Sequence, residues 1–210
     1  MPAAAIDQDT QAVIDALNAA QQTSGLDQAS FARALGTSPS RYSTYRTGTT
    51  APSAAFLMRA VRIGAALAEA RRAGVPSSLG AADSIRAALR PTDPPDDDGE
   101  ADLWAFTLVL EARDRVVDTI THHPGLVGCW DAVASTGDAR WDALLAAVVG
   151  QAFTAAGLPA PRWTTVERRL DIAWMPVDSL RFSPEQVRDH TPTWLADRNI
   201  FVADTDLTTL

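Results

Sequence analysis

The sequence predicts a mostly α-helical protein, and three observations carry that prediction. Apolar residues recur at three- and four-residue intervals along most of the 210 residues. Helix-start residues (Asp, Ser, Pro) and helix-stop residues (Gly) bracket those runs. A break rich in proline and aspartate, PTDPPDDDG at 91–99, has nothing to bury and divides the chain. The expected architecture is a bundle of short helices over 1–90, an acidic linker over 91–100, and a mainly helical domain with short extended segments over 101–210.

In the first part, Val13, Ile14, Leu17 and Ala20 form one stripe and predict a helix over 7–21. A second helix is capped by Asp27, carries Phe31, Ala32 and Leu35 on one face, and stops at Gly36, which can take the left-handed backbone that turns a chain sharply. Ser38 and Pro39 start a third, because a serine oxygen caps free N–H groups and proline at the first helical position loses no needed donor. Tyr42 and Tyr45 share its inner face, and Gly48 and Pro52 end it. A longer helix follows over 53–72, with Phe56, Leu57, Ala60, Val61, Gly64, Leu67 and Ala68 as its stripe and Gly74 and Pro76 as its stop; it is a candidate stalk or dimer surface. Arg71 and Arg72 at its C-terminal end suit the helix dipole. A helix over 79–89, capped by Ser78, completes this part.

Beyond the break, all six tryptophans (104, 130, 141, 163, 174 and 194) fall in the second part. Helices are predicted over 102–121 (Trp104, Leu108, Val116, Val117, Ile120), over 125–133, and over 139–156 with Gly157 as its stop. Prolines break the regular pattern over 159–176, and the apolar residues of 166–174 fit neither helical nor strand period, so 159–190 is assigned no element. Thr191 and Pro192 open a short helix, and Ile200-Phe201-Val202 reads as extended.

The only stretch whose residue order implies a chemical task is 25–53. Its third helix presents Ser40, Arg41, Ser43 and Thr44 away from the tyrosines, hydrogen-bonding groups on a helix thin enough to enter a DNA major groove. Arg41 is the candidate for a guanine, since a planar fork can donate to both major-groove acceptors of that base. The segment resembles the helix-turn-helix of the phage-repressor, Cro-like (xenobiotic-response-element) family, on Leu26, Gln28, Phe31, Ala32, Leu35, Gly36, Ser38, Tyr42, Tyr45, Gly48 and Pro52-Ser53. The resemblance implies that Gln28 meets the phosphate backbone, that Ser38, Ser40, Ser43 and Thr44 face base edges or flanking phosphates, and that Arg46, Thr47 and Thr49 lie near the backbone. The second part loosely resembles accessory regions of antitoxin-like helix-turn-helix regulators from GC-rich bacteria, through WDALLAAVV (141–149), PAPRWT (159–164) and TPTWLADRNIFV (191–202). That resemblance implies a partner-binding or dimerisation domain.

The net charge of −8 argues against a protein that coats nucleic acid indiscriminately. It is unevenly spread, for residues 25–75 hold seven arginines against Asp27 and Glu69, a local balance of +5. With no apolar run of membrane-spanning length and no basic leader, the expected location is cytoplasmic. Asp114, Asp118 and His122 fall at four-residue steps that could present metal ligands, but Arg113 and Arg115 lie among them and Glu111 with Arg115 reads as an ordinary i,i+4 ion pair. Surface charge is the better reading, and no metal or other cofactor is expected. Cys129, the only cysteine, reads as a buried structural thiol. No phosphate loop, nucleophile elbow or zinc spacing is present in the sequence, so an enzyme is not expected.

The expected function is therefore a sequence-specific DNA-binding transcriptional regulator, a repressor acting on a double-stranded operator as a homodimer. Its sharper form is the autoregulating antitoxin of a toxin–antitoxin pair, with a prophage-type repressor close behind. The alternative is an interaction module that neutralises a toxin or acts as a scaffold without reading DNA. Trp194, Arg198 and Phe201, in the aromatic- and arginine-dense WLADRNIF, are candidate partner contacts.

Overall fold

The computed structural model describes residues 7–90, 98–166 and 169–207. The chain is mostly α-helical, as its sequence predicts, and the pairing of extended backbone among the described residues is a single parallel bridge between Trp174 and Ile200. It divides into two compact units, Met1–Ser77 with Gly125–Val133, and Ser78–Pro124 with Ala134–Leu210. This differs from a division at 90–100. The helix that follows Ser77 packs with the second unit, and residues 125–133 return to the first, an exchange of segments that local composition does not encode. Most of the expected linker, 91–97, lies outside the described residues, whereas Asp98, Gly99 and Glu100 open a helix.

The first unit begins with α1 (Gln8–Ser24), capped by the Asp7 carboxylate, which accepts from the N–H groups of Asp9 and Thr10, and ended by Gly25 at φ 73°. Then come α2 (Gln28–Ala34) and α3 (Pro39–Arg46), capped by Asp27 and Ser38 as predicted, and α4 (Ala54–Ala73), which Ser53 caps. Gly36, between α2 and α3, has φ 73°, so the turn there needs a residue without a Cβ penalty. The buried faces are Ile14, Leu17 and Ala20 on α1, Phe31 and Ala32 on α2, and Tyr42 and Tyr45 on α3. On α4 the stripe runs through Phe56, Ala60, Ile63, Gly64 and Leu67. Val61, expected within it, is 42% exposed and Ile63 takes its place. Aromatic pairs lock α3 in, with Phe31 edge-on to Tyr42 at 5.8 Å and Tyr45 against Phe56 at 5.0 Å.

Two contacts tie this bundle together from its edges. Gly64 lets α4 approach α1 so closely that a Cβ there would lie 2.5 Å from the Ala20 carbonyl oxygen. Arg71, expected only to suit the dipole of α4, donates from Nη1 to the Ser24 carbonyl at 2.8 Å and so satisfies an orphan acceptor at the end of α1. The returning segment 125–133 is not the predicted α-helix; it is formed largely by a 3-10 helix, Pro124–Trp130. Its Val133 N–H donates to the Ala34 carbonyl at 2.8 Å, Asp131 ion-pairs with Arg62, and the Cys129 thiol donates to the Pro76 carbonyl at 3.4 Å.

In the second unit, α5 (Ser78–Ala88) and the long α6 (Asp98–His122) pack on each other, and α7 (Ala139–Ala155) packs on α6. Nearly every residue of α7 from Trp141 to Val149 is buried, which makes it the centre of this unit. The stripe predicted on α6 is turned from the real one. Val116 is buried as expected, but Trp104 and Val117 are 55% and 49% exposed, and Ala105, Phe106, Val109, Leu110 and Ala112 fill the inner face instead. After α7 come three short helices, α8 (Arg162–Thr165), α9 (Pro184–Asp189) and α10 (Thr193–Ala196). The extended end predicted at 200–202 pairs with Trp174, whose N–H donates to the Asn199 carbonyl and whose carbonyl accepts from Phe201 N–H.

Candidate nucleic-acid interface

The outer surface of α3 follows from its inner one. Tyr42 and Tyr45 are buried, so a helical step of 100° per residue leaves Ser40, Ser43, Thr44 and Thr47 on the side away from the core, with Arg41 at its edge. Ser38 is committed as the cap: its Oγ accepts from Arg41 N–H at 3.2 Å and lies 3.2 Å from Ser40 Oγ. Thr44 Oγ1 donates to the Arg41 carbonyl at 2.8 Å, and Thr47 Oγ1 lies 2.8 Å from that of Thr49. Thr47 also reaches the carbonyls of Ser43 and Thr44. A hydroxyl whose proton is used within the helix still offers two lone pairs. Such a face can accept from the amino groups of adenine or cytosine and can pack threonine methyls on a thymine methyl.

Gln28 and Arg46, both expected at the phosphate backbone, are brought together with each other. Arg46 Nη1 donates to Gln28 Oε1 and Arg46 Nε to Asn18 Oδ1, each at 2.6 Å, so one guanidinium links α1, α2 and α3. This leaves the amide nitrogen of Gln28 as its outward-capable end, a pure donor suited to a phosphate oxygen. Asn18 is the residue that sequence reasoning missed; its partner lies 28 positions away and no local pattern marks the pair.

The electrostatics of the unit are milder than its central stretch. Counting Met1–Ser77 with Gly125–Val133, the seven arginines face Asp7, Asp9, Asp15, Asp27, Glu69 and Asp131, a net +1. Three of these carboxylates come from α1 and its cap and one from the returning segment, where Asp131 pairs with Arg62. The Ser30 N–H and hydroxyl hold the Asp27 carboxyl below the usual carboxylate range. Burial pushes the Tyr42 hydroxyl up to about 12 despite the Arg46 charge, and that hydroxyl donates to the Leu17 carbonyl at 3.2 Å. Tyr42 is thus a neutral core group and no reader.

The other candidates separate. Asp118 bonds His122 Nδ1 at 2.9 Å, while Asp114 is held by Arg113; no group of three potential metal ligands occurs among the described residues. Cys129 is fully buried, and burial pushes its thiol up to about 12, far from a nucleophile's range. Trp194 lines an apolar groove of about 370 Å³ with Leu110, Val117, Val148 and Ala152 of α6 and α7. Arg198 donates to the Thr164 carbonyl at 3.0 Å, and Phe201 lies under the Arg188 guanidinium at 5.4 Å. No helix among the described residues is long and apolar enough to cross a membrane. No family model matches the chain, and no curated protein or solved structure matches it either.

Proposed function

We propose that the first unit is a helix-turn-helix that reads a double-stranded DNA site, and that the protein is a transcriptional regulator acting as a repressor. The observation that carries this reading is the outer face of α3: four hydroxyl residues and one arginine on a capped helix whose opposite face is sealed into a core. One such helix touches few base pairs, so useful specificity calls for a dimer reading two half-sites a helical turn apart. Met58 and Val61, exposed on α4 at 66% and 42%, are apolar groups available for that pairing.

The test is a band-shift titration against the DNA upstream of the chain's own coding sequence, at several salt concentrations, beside a random duplex. Absence of a specific complex at low salt refutes the reading. Arg41→Ala is expected to cost about 1–3 kcal/mol on the specific site if it chelates a guanine, and an equal loss on random DNA makes it a phosphate contact instead.

One observation favours a second reading. With a net charge of only +1 the first unit has little excess cation for phosphate, which suits a module that binds protein rather than DNA. The antitoxin form joins both readings, with the second unit holding a toxin. Co-expression with the adjacent gene tests it, and a neighbour that is harmless alone removes its motivation.

A further inference from the structure

Tyr45 is 6% exposed and packs its ring on Phe56. Phenylalanine or leucine would satisfy that packing, so the hydroxyl needs its own account. It accepts a hydrogen bond from Arg41 Nε at 2.7 Å, and the Arg41 guanidinium carbon lies 5.8 Å from the Tyr45 ring centroid. The pair is spaced i,i+4, with the arginine in the first turn of α3, where a recognition helix meets base edges. A guanidinium has two hydrogen-bonding edges. Tyr45 occupies Nε, and neither Nη carries a hydrogen bond to a described residue. With Nε occupied, the edge bearing both Nη groups remains as the fork that can donate to guanine O6 and N7. The buried ring, fixed by the core, therefore holds a flexible exposed side chain by its inner edge and leaves its outer edge presented.

We propose that Tyr45 is a positioning residue for base recognition: its hydroxyl tethers Arg41 so that the distal edge of the guanidinium is preorganised to chelate a guanine. This rests on the reading of α3 as a DNA-recognition helix. The tether links the core to specificity, since the residue that anchors α3 also aims the arginine on its outer face.

The test uses the full chain and a site selected by the wild-type protein from randomised duplexes. Tyr45→Phe removes one oxygen and keeps the ring, and far-UV circular dichroism melting checks that the fold is retained. Tyr45→Phe is expected to weaken binding to the selected site by about three- to tenfold, part of what one bidentate base contact is worth. It is also expected to relax the preference for guanine at one base pair, leaving affinity for random DNA and the salt slope unchanged. In an Arg41→Ala background it should have no further effect. Arg41→Lys, which keeps the charge without the fork, should lose the same guanine preference; if it keeps that preference there is no fork for Tyr45 to aim, and the proposal is overturned however Tyr45→Phe folds. Wild-type behaviour of Tyr45→Phe, an equal loss on random DNA, or an undiminished loss in the Arg41→Ala background each overturns the tether while the DNA reading stands. A selection that enriches no sequence refutes the DNA reading, and the tether's role falls with it.

Discussion

The crossing of α1 and α4 frames the bundle that holds α3, and Gly64→Ala tests how tightly it is built. An ideal Cβ at this position lies 2.5 Å from the Ala20 carbonyl oxygen and 3.2 Å from its carbonyl carbon, against an ordinary contact of about 3.4 Å or more. The obstacle is backbone within a helix, so relief requires the two helices to separate by the better part of an ångström across their length. Overpacking of this kind costs about 1–3 kcal/mol. Alanine returns up to about 1 kcal/mol, because glycine in a helix interior carries that much conformational penalty. The net expectation is a loss of about 1–2 kcal/mol, seen as a lower urea midpoint with an unchanged slope. DNA binding, if the proposed reading holds, should weaken only in step with the folded fraction. A Gly64→Ala protein as stable as wild type would show that the two helices are not packed at this distance.

Arg46→Met removes the two hydrogen bonds through which its guanidinium links α3 to α1 and α2. Because Asn18 and Gln28 are half-exposed and can rehydrate, a loss of about 1–2 kcal/mol by urea unfolding is expected, and a change under 0.5 kcal/mol would mean the network adds nothing. Cys129 should resist thiol reagents at pH 8 in the native state and react on unfolding. Its folded thiol sits near 12 against an ordinary 9.0, so the stability this represents is present below pH 9 and is lost as pH rises toward 12; Cys129→Ala should flatten that alkaline decline. Asp27 works in the opposite direction. Its folded pKa is lowered, so its contribution is present above the ordinary carboxylate value of about 3.9 and disappears as pH falls through the lowered one. The stability gap between wild type and Asp27→Ala at pH 7 should close in acid, and a gap unchanged at pH 2 would sink this assignment.

The sequence by itself determined the helical class and the local architecture of the first unit. Asp27 and Ser38 each cap the helix they were read to cap, Asp7 and Ser53 cap the two helices whose starts they were read to mark, and Gly25, Gly36, Gly48 and Gly74 take positive φ at the breaks, because capping and left-handed turns depend on neighbours within a few residues. What lay at long range was decided only by the tertiary structure. The burial of Ile63 instead of Val61, and of Ala105 and Ala112 instead of Trp104, depends on which neighbour arrives. The return of 125–133 to the first unit brings Asp131 to Arg62 and lowers the unit's positive balance, with no trace in local composition. In the candidate interface the residue types of the outer face were legible, since Tyr42 and Tyr45 fix the inner one. The linking of Arg46 to Asn18 and Gln28, and the hold of Tyr45 on Arg41, were not. Periodicity places a side chain on a face, but only packing decides which polar atoms spend their hydrogen bonds inside the protein and which remain for a partner.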